Sequence, residues 1–164
     1  MTQNALNAWN GEDDPLTRRI IGAAIEVQKV TGPNMLESTY EECLGLELML
    51  RDLSFERQVH LPLEYKSITV RRAYRMDLLV ENAVVVEIKT VDKLLPVHES
   101  QVLTYLRMSN LKTGLLINFN CVPLAKGIRR LINPLYSPHS LHSQARATSA
   151  GEGRPETEEG AAGD

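Results

Sequence analysis

The chain is poor in several features that would place a protein in a class at once. It has two cysteines among 164 residues and 5% aromatic residues, and no apolar run approaches the length of about 18 residues that a transmembrane helix needs. Cys43 and Cys121 lie in apolar sequence without metal-ligand spacing, so we expect free, buried thiols in a reducing compartment. The N-terminus has no basic start followed by an apolar core. We therefore expect a cytoplasmic protein with no membrane partner.

The two ends of the chain differ in composition from its middle. Residues 1–14 are polar and acidic, and residues 137–164 are rich in Ser, Gly, Ala and Glu with almost no large apolar side chains. Such segments bury too little surface to offset the entropy of ordering. We therefore predict a disordered N-terminal segment over 1–14, one folded domain over 15–136 and a disordered acidic tail over 137–164. The whole chain has a formal charge of −3, but residues 15–136 hold 16 basic and 13 acidic side chains, a net of +3 that is compatible with a polyanionic partner.

Hydrophobic periodicity predicts the order of helices and strands. Apolar residues recur with helical spacing in three segments, which we predict as helices over residues 16–31, 35–52 and 96–108. Period-two alternation or a short buried run predicts strands over residues 55–65, 68–80, 84–90 and 113–119. Residues 124–132 fit either an edge strand or a short helix.

The lengths of the connections predict how these strands pair. Short turns make the first three strands antiparallel neighbours, whereas the helical connection lets the fourth strand join the sheet in another direction. The sequence therefore predicts an α/β fold in which helices flank a mixed β-sheet, with the core order α-β-β-β-α-β.

The hairpin of the second and third strands has unusual charges for the middle of a sheet. If its turn is centred on Asn82, residues whose numbers sum to 164 face each other, so Asp77 faces Glu87 with β-carbons about 5 Å apart. Lys89 projects from the same face as Glu87. A solvated hairpin face, on which Glu-x-Lys occurs by chance, is the structural alternative.

Two ionised carboxylates this close to each other repel unless a cation lies between them. Mg²⁺ fits such a place, because it takes one or two carboxylates and keeps several waters. The ion would polarise a phosphodiester and generate a hydroxide, while Lys89 would orient the attacking water or offset developing charge. The pattern Asp77, Glu87, Lys89 therefore predicts a metal-dependent phosphodiesterase site.

Three residues on the predicted helices could join this site, and each has a structural alternative. Glu37 follows Asn34 by three residues, which is capping-box spacing, but it could instead point a carboxylate at the metal. Gln101 and Tyr105 are four residues apart and share one helix face, where they would contact a phosphate or a metal-bound water. A core aromatic residue with a polar neighbour would produce the same spacing.

The candidates for substrate contact are Arg72, Arg75 and His98. Arg72 and Arg75 precede Asp77 on the same strand and would follow a phosphate backbone, although a solvated strand face also explains at least one of them. His98 lies one turn from Gln101, and its alternative is a satisfied structural residue.

Five ordered segments give the chain a resemblance to a known family. The segments GPNMLESTY (32–40), YRMDLLVEN (74–82), VVVEIKTV (84–91), PVHESQVLTYL (96–106) and GLLINFN (114–120) are similar to those of the GxxExxY protein family, over residues 16–132. The resemblance implies a PD-(D/E)xK nuclease-like fold with a restriction-endonuclease-like core. Gln28 stands where the family usually has His, and Asn34 stands where it usually has Gly.

The resemblance also implies roles for the candidate residues. Asp77 matches the acidic residue of the second core strand, and Glu87 with Lys89 matches the (D/E)xK of the third. Glu37 matches the helix-borne glutamate, and Gln101 with Tyr105 is similar to the QxxxY element of RecB-type nucleases. Each of these residues is therefore expected in the site on two grounds, its own chemistry and its place in the motif.

Together these observations predict a Mg²⁺-dependent nuclease, with Mn²⁺ as a substitute for Mg²⁺. The metal ligands would be the side chains of Glu37, Asp77 and Glu87 and the backbone carbonyl of Ile88. The partner would be a nucleic acid, and we expect DNA, although the residues themselves do not distinguish it from RNA. The sequence leaves open whether the protein forms a homodimer. The alternatives are a catalytically inactive module that binds nucleic acid or protein through the same face, and an enzyme acting on a small phosphodiester.

Overall fold

The computed structural model describes residues 14–138. Within this range, the helices are α1 (Pro15–Thr31), α2 (Glu37–Leu50) and α3 (Pro96–Ser109). The strands are β1 (Phe55–Tyr65), β2 (Ile68–Val80), β3 (Val84–Lys89), β4 (Thr113–Asn118) and β5 (Ile128–Ile132). A short 3₁₀ helix, Leu124–Gly127, precedes β5. The predicted disordered segments, residues 1–14 and 137–164, fall outside the described residues except at Asp14, which caps α1, and at Ser137 and Pro138.

The strands form one mixed sheet in the order β1-β2-β3-β4-β5. The first three strands are antiparallel neighbours, β4 pairs parallel to β3, and β5 returns antiparallel to β4. Helix α3 makes the crossover that a parallel pair requires. The predicted α/β fold with a mixed sheet is confirmed. The two interpretations of residues 124–132 are both realised, since a helical turn there leads into an edge strand.

The sheet separates two apolar cores. On one side, α1 and α2 cover it with residues such as Ile20 and Leu44, which pack with Val86 of β3 in one core. On the other side α3 packs on it through Val102 and Leu106. Burial of apolar surface on both faces explains why β3 and β4 read as continuous apolar runs in the sequence.

Strand β2 contributes to both cores, but not by simple alternation. Leu78 and Val80 lie in the core under α1 and α2, whereas Met76 and Leu79 lie in the core under α3. Period-two alternation would place Met76 and Leu78 on the same side, so the strand changes face at Asp77. The residue opposite Asp77 on β1 is Gln58, which has a left-handed backbone with φ of 53°.

The turn between β2 and β3 sets the predicted register. Glu81 and Asn82 both have positive φ angles, 51° and 52°, and the N–H of Ala83 donates to the carbonyl of Val80 at 3.0 Å. The strands then pair Leu78 with Val86, which is the register expected for a turn centred on Asn82. Glu81 tolerates this conformation because both its N–H and its carboxylate bond the backbone of Ser54.

The start of α2 excludes one of the two interpretations of Glu37, the capping box with Asn34. Glu37 is the first helical residue and Leu36 the N-cap, so the Asn34–Glu37 capping box is wrong. Asn34 has φ of 69°, a conformation that Asn accepts more readily than most residues, and it lies outside the helix. The carboxylate of Glu37 is therefore available for contacts beyond its own helix.

The structure also describes Gln28 and the two cysteines. Gln28, at the family's usual His position, is structural: its side-chain amide donates to the carbonyls of Phe119 and Cys121 at 2.7 and 2.8 Å. Cys43 and Cys121 are free thiols, but they are half-buried, which corrects the expectation of full burial. None of the helices between residues 14 and 138 has the length and apolarity to cross a membrane.

Candidate active site

The site lies where β2 and β3 stop pairing. Their last pair is Leu78 with Val86, so the next backbone N–H on that edge of β3, at Ile88, has no partner from β2. The carboxylate of Asp77 takes its place and accepts from the Ile88 N–H at 2.9 Å. Because N–H and C=O of one strand residue point to the same edge, the Ile88 carbonyl faces the Asp77 side as well.

Glu87 is the most enclosed carboxylate of the group. It is only 2% exposed, and one carboxylate oxygen accepts from Lys89 Nζ at 2.7 Å. The other oxygen, Oε2, is buried without a hydrogen-bond partner among residues 14–138. A buried, unpartnered carboxylate oxygen is costly unless a cation or donor approaches it.

Burial makes both carboxylates hard to ionise, and the charge of Asp77 adds to this effect at Glu87. Burial first, and the charge of Asp77 second, raise the pKa of Glu87 to about 7, against the opposing effect of Lys89. Burial also raises the pKa of Asp77, although the Ile88 N–H and Lys89 act in the other direction. Lys89 thus compensates only part of the charge, and a divalent ion would compensate the rest.

Glu37 approaches the same place from the first turn of α2. Its Oε1 accepts from the backbone N–H of Thr90 at 3.2 Å, directly beyond the end of β3. Asp77 and Glu37 therefore bind alternate N–H groups of the same strand edge, those of Ile88 and Thr90. This contact ties the start of α2 to the end of β3.

On the opposite side of the sheet, α3 contributes a polar pair. The side-chain amide of Gln101 donates to the hydroxyl oxygen of Tyr105 at 2.7 Å. Burial, and then the charge of Glu87, raise the pKa of Tyr105 to about 12, so the hydroxyl remains a proton donor at neutral pH. The ring of Tyr74 on β2 meets that of Tyr105 edge to face, with centroids 6.1 Å apart.

An open cleft of about 370 Å³ leads to Asp77 from the side of α2. Its lining includes polar residues from three elements, namely Glu37, Ser38, Glu41, Arg57, Gln58, Arg75 and Asp77. Of the three predicted substrate contacts, the cleft contains Arg75 only. Arg72 is exposed in the irregular stretch of β2 between Val70 and Tyr74, and His98 Nδ1 accepts from the Leu95 N–H at the start of α3.

Glu41, Arg57 and Gln58 were not among the site residues predicted from the sequence. Glu41 is 6% exposed, and Arg57 and Gln58 donate side-chain hydrogen bonds to it. Glu41 was within reach of sequence reasoning, because it follows Glu37 by four residues and shares its helix face. Arg57 and Gln58 had no such signal, since the pattern of β1 does not show that its backbone turns left-handed at Gln58.

The residues present fit a hard divalent ion through a small ligand set. Among residues 14–138, no three His, Cys, Asp or Glu side chains are gathered closely enough to hold a metal as they stand. Two carboxylates suffice for Mg²⁺, which retains waters, and the unpartnered oxygen of Glu87 beside Asp77 supplies that pair. The chemistry of these oxygen donors favours Mg²⁺ or Mn²⁺ over softer metals.

The fold and this group of residues define a restriction-endonuclease-like α/β protein with a carboxylate–lysine site at the end of a central hairpin. The chain belongs to the PD-(D/E)XK nuclease superfamily, whose sequence pattern matches residues 14–131. Neither the curated proteins nor the solved structures gave a match to the chain.

Proposed function

We propose that this protein is a metal-dependent nuclease that hydrolyses phosphodiester bonds of nucleic acid, with DNA as the expected polymer. One observation supports it above all: Glu87 is buried beside Asp77 and Lys89 with a carboxylate oxygen that lacks a partner. A fold that needed only stability would gain from an apolar residue here, since buried charge is costly without compensation. A cation bound by Glu87 and Asp77 would compensate the buried charge and explain why the carboxylates are kept.

Each residue has a role that follows from its position. Asp77, Glu87 and the Ile88 carbonyl would hold Mg²⁺ or Mn²⁺, with Glu37 at the outer edge of the set. The ion would supply a polarised phosphate and an activated water. Lys89, which bonds Glu87, would orient the water or offset charge that develops on the phosphate. Tyr105, supported by Gln101, would donate a hydrogen bond to a phosphate oxygen or the water.

Several finer assignments accompany this proposal. We propose that the protein belongs to the GxxExxY family within the superfamily, on the basis of its five quoted segments. We also propose a cytoplasmic location, and we leave a homodimer as an open alternative to a monomer. Arg75 is our candidate for substrate contact in the cleft, while Arg72 and His98 are weaker candidates, because neither lines it.

The test is cleavage of labelled single-stranded, duplex and branched DNA and of RNA, with Mg²⁺ or Mn²⁺. Asp77→Ala and Lys89→Ala are each expected to lower the rate by at least about 10²-fold, because each removes a charge from the reacting centre. Lys29→Ala, which removes an exposed lysine on α1, is the matched control and should cleave like the wild type.

Two other outcomes would replace this proposal. If no substrate is cleaved and calorimetry shows no metal binding, the protein is an inactive binding module on a nuclease fold. If only a small phosphodiester is hydrolysed and polymers are not, it is a small-molecule enzyme.

A further inference from the structure

Two arginines line the cleft beside the carboxylates. Arg75 lies on β2, two residues before Asp77, and Arg57 lies on the neighbouring strand β1, next to Gln58. Arg57 is held by two ion pairs: its Nε bonds Glu41 at 2.9 Å and its Nη2 bonds Glu42 at 2.8 Å. An arginine has five N–H donors, so about three remain after these two bonds.

Glu41 fixes the position of Arg57. Its side chain is 8% exposed, and both of its oxygens are used, Oε1 by Arg57 and Oε2 by the side-chain amide of Gln58. A carboxylate this buried is stable only when it is paired. The hydrogen bond of Glu42, and then that of Glu41, raise the pKa of Arg57, which stays charged. The guanidinium is thus fixed at the cleft wall, and its own side chain is still 36% exposed.

An ion pair that served only to join α2 to β1 would contribute little to stability. Exposed pairs add little, and buried ones often do no better than apolar residues of the same size. The position of Arg57 in the cleft, near Asp77, gives the pair a second purpose. A planar guanidinium with free donors binds the oxygens of a phosphate with defined geometry.

We propose that Arg57 and Arg75 form a phosphate-binding subsite for the phosphate adjacent to the one that is cleaved, and that Glu41 is the positioning residue for Arg57. This inference rests on the proposed nuclease function and narrows its substrate class. The scissile phosphate lies at Asp77 and Glu87, and the next phosphate of the strand lies against the two arginines. The substrate is therefore a strand with consecutive phosphates, not a compound with a single phosphodiester.

The first test measures binding without turnover. Fluorescence anisotropy measures how tightly the full-length protein binds a labelled oligothymidylate in Ca²⁺. Calcium is used to prevent turnover, because it suits the octahedral geometry of a Mg²⁺ site poorly. Arg57→Ala is expected to weaken binding by about tenfold to a hundredfold and to lower the dependence of log K on log salt by about one unit. Arg107→Ala removes one exposed arginine on α3, away from the cleft, and is expected to leave both quantities unchanged.

A set of oligothymidylates, each with one neutral methylphosphonate, locates the contact. With the wild type, neutralising one particular phosphate should weaken binding by about the same factor as Arg57→Ala. With Arg57→Ala, neutralising the same phosphate should not weaken binding further, because the guanidinium that binds the charge of this phosphate has been removed. Arg57→Lys restores the charge but not the planar fork, so it should recover part of the affinity.

Glu41→Gln distinguishes positioning from simple repulsion. If Glu41 only repels the substrate, removing its charge tightens binding; if it holds Arg57, the change weakens binding. The double variant with Arg57→Ala should bind no more weakly than Arg57→Ala alone, because Glu41 acts through Arg57. Near-ultraviolet circular dichroism of each variant checks that the fold is intact.

The outcomes separate this inference from the nuclease proposal. Binding by Arg57→Ala equal to that of Arg107→Ala, or a methylphosphonate profile that Arg57→Ala does not change, overturns the subsite. A wild type that binds with the expected profile but cleaves nothing in Mg²⁺ overturns the nuclease proposal and leaves Arg57 and Arg75 as a phosphate-binding site of an inactive binding module. A wild type that binds no oligonucleotide overturns both.

Discussion

Glu87 connects the chemistry of single residues to the stability of the protein. Burial and Asp77 raise its pKa from 4.5 to about 7, so the folded protein keeps a proton that the unfolded chain releases at lower pH. The stability linked to this group is complete below about pH 4.5 and is lost as the pH rises through about 7. Asp77 acts in the same direction, since its pKa is also raised.

We therefore expect the metal-free protein to lose stability between about pH 4.5 and pH 7, by roughly 2–3 kcal/mol from Glu87. Glu87→Gln, which cannot ionise, should flatten most of this dependence and raise the unfolding midpoint at pH 8. Thermal or urea unfolding in EDTA across this pH range measures it. Equal pH profiles for the variant and the wild type would show that Glu87 ionises normally in the fold.

Tyr40 provides a second prediction at the residue scale. Its hydroxyl donates to the Gly32 carbonyl at 2.6 Å and accepts from the Met35 N–H at 3.3 Å, while its ring stacks on Phe119 with centroids 4.3 Å apart. Tyr40→Phe keeps the stacking and removes both hydrogen bonds, so it should cost about 1–2 kcal/mol in urea unfolding. Tyr65→Phe, at an exposed ring, is the control. If both variants unfold alike, the hydroxyl does not hold the loop between α1 and α2.

At the scale of elements, the packing of α3 on β4 depends on a glycine. A β-carbon added to Gly114 would lie 2.6 Å from Val102 Cγ1 on α3. Gly114→Ala should therefore destabilise the protein by about 1–3 kcal/mol through overpacking, and adding Val102→Ala should recover part of the loss.

Gly22→Ala in α1 is the matched comparison for Gly114→Ala. The new β-carbon there would meet only the flexible end of Arg51 at 3.1 Å, and alanine favours the helix by about 0.5–1 kcal/mol. Chemical denaturation of both variants measures the difference in sign. If Gly22→Ala and Gly114→Ala lower the free energy of unfolding by similar amounts, the helix packing around Gly22 is tighter than the contacts indicate.

The elements themselves were largely predictable from the sequence, because each has one dominant periodicity. The face that each strand presents was less so. The register followed from a turn centred on Asn82, and the ladder has it as far as Leu78 with Val86, but Asp77 and Glu87 lie just beyond this last pair. The change of face at Asp77 was not predictable from the pattern of β2, and it lies at the same level as the left-handed backbone of Gln58 on the neighbouring strand. A pattern within one strand does not contain a distortion that two strands share.

The site residues also divide into those that sequence spacing predicted and those that it did not. Asp77, Glu87 and Lys89 share a local pattern, and Gln101 and Tyr105 share a helix face, so sequence spacing was enough to group them. Arg57 is held at the cleft by Glu41 and Glu42, and Gln58 bonds Glu41, so these contacts join residues about 15 to 17 positions apart. Spacing rules do not reach that far along the chain.

At the scale of the whole molecule, charge is unevenly distributed along the chain. Residues 14–138 hold 16 basic and 14 acidic side chains, a net of +2, whereas the full chain has −3. The remaining −5 belongs to residues 1–13 and 139–164. A polyanionic substrate therefore meets an attractive domain together with repulsive ends.

A protein trimmed to residues 14–138 should consequently bind an oligonucleotide more tightly than the full chain at low salt. The difference should shrink toward high salt, because screening shortens the range of these charges. Anisotropy at about 50 mM and 300 mM salt compares the two proteins. A gap that persists at the higher salt would mean that the ends act by a specific contact instead of by charge.

The change of face in β2 also bears on how the molecule opens. Because Leu78 and Val80 belong to one core while Met76 and Leu79 belong to the other, neither core can separate from the sheet without disturbing the same strand. Local unfolding is then expected to leave residues 76–80 of this strand in place, and the slowest-exchanging amides of α1 and α3 should share one opening free energy. Native-state hydrogen exchange would show a single cooperative unit made of the two cores, in which residues 76–80 unfold only together with them.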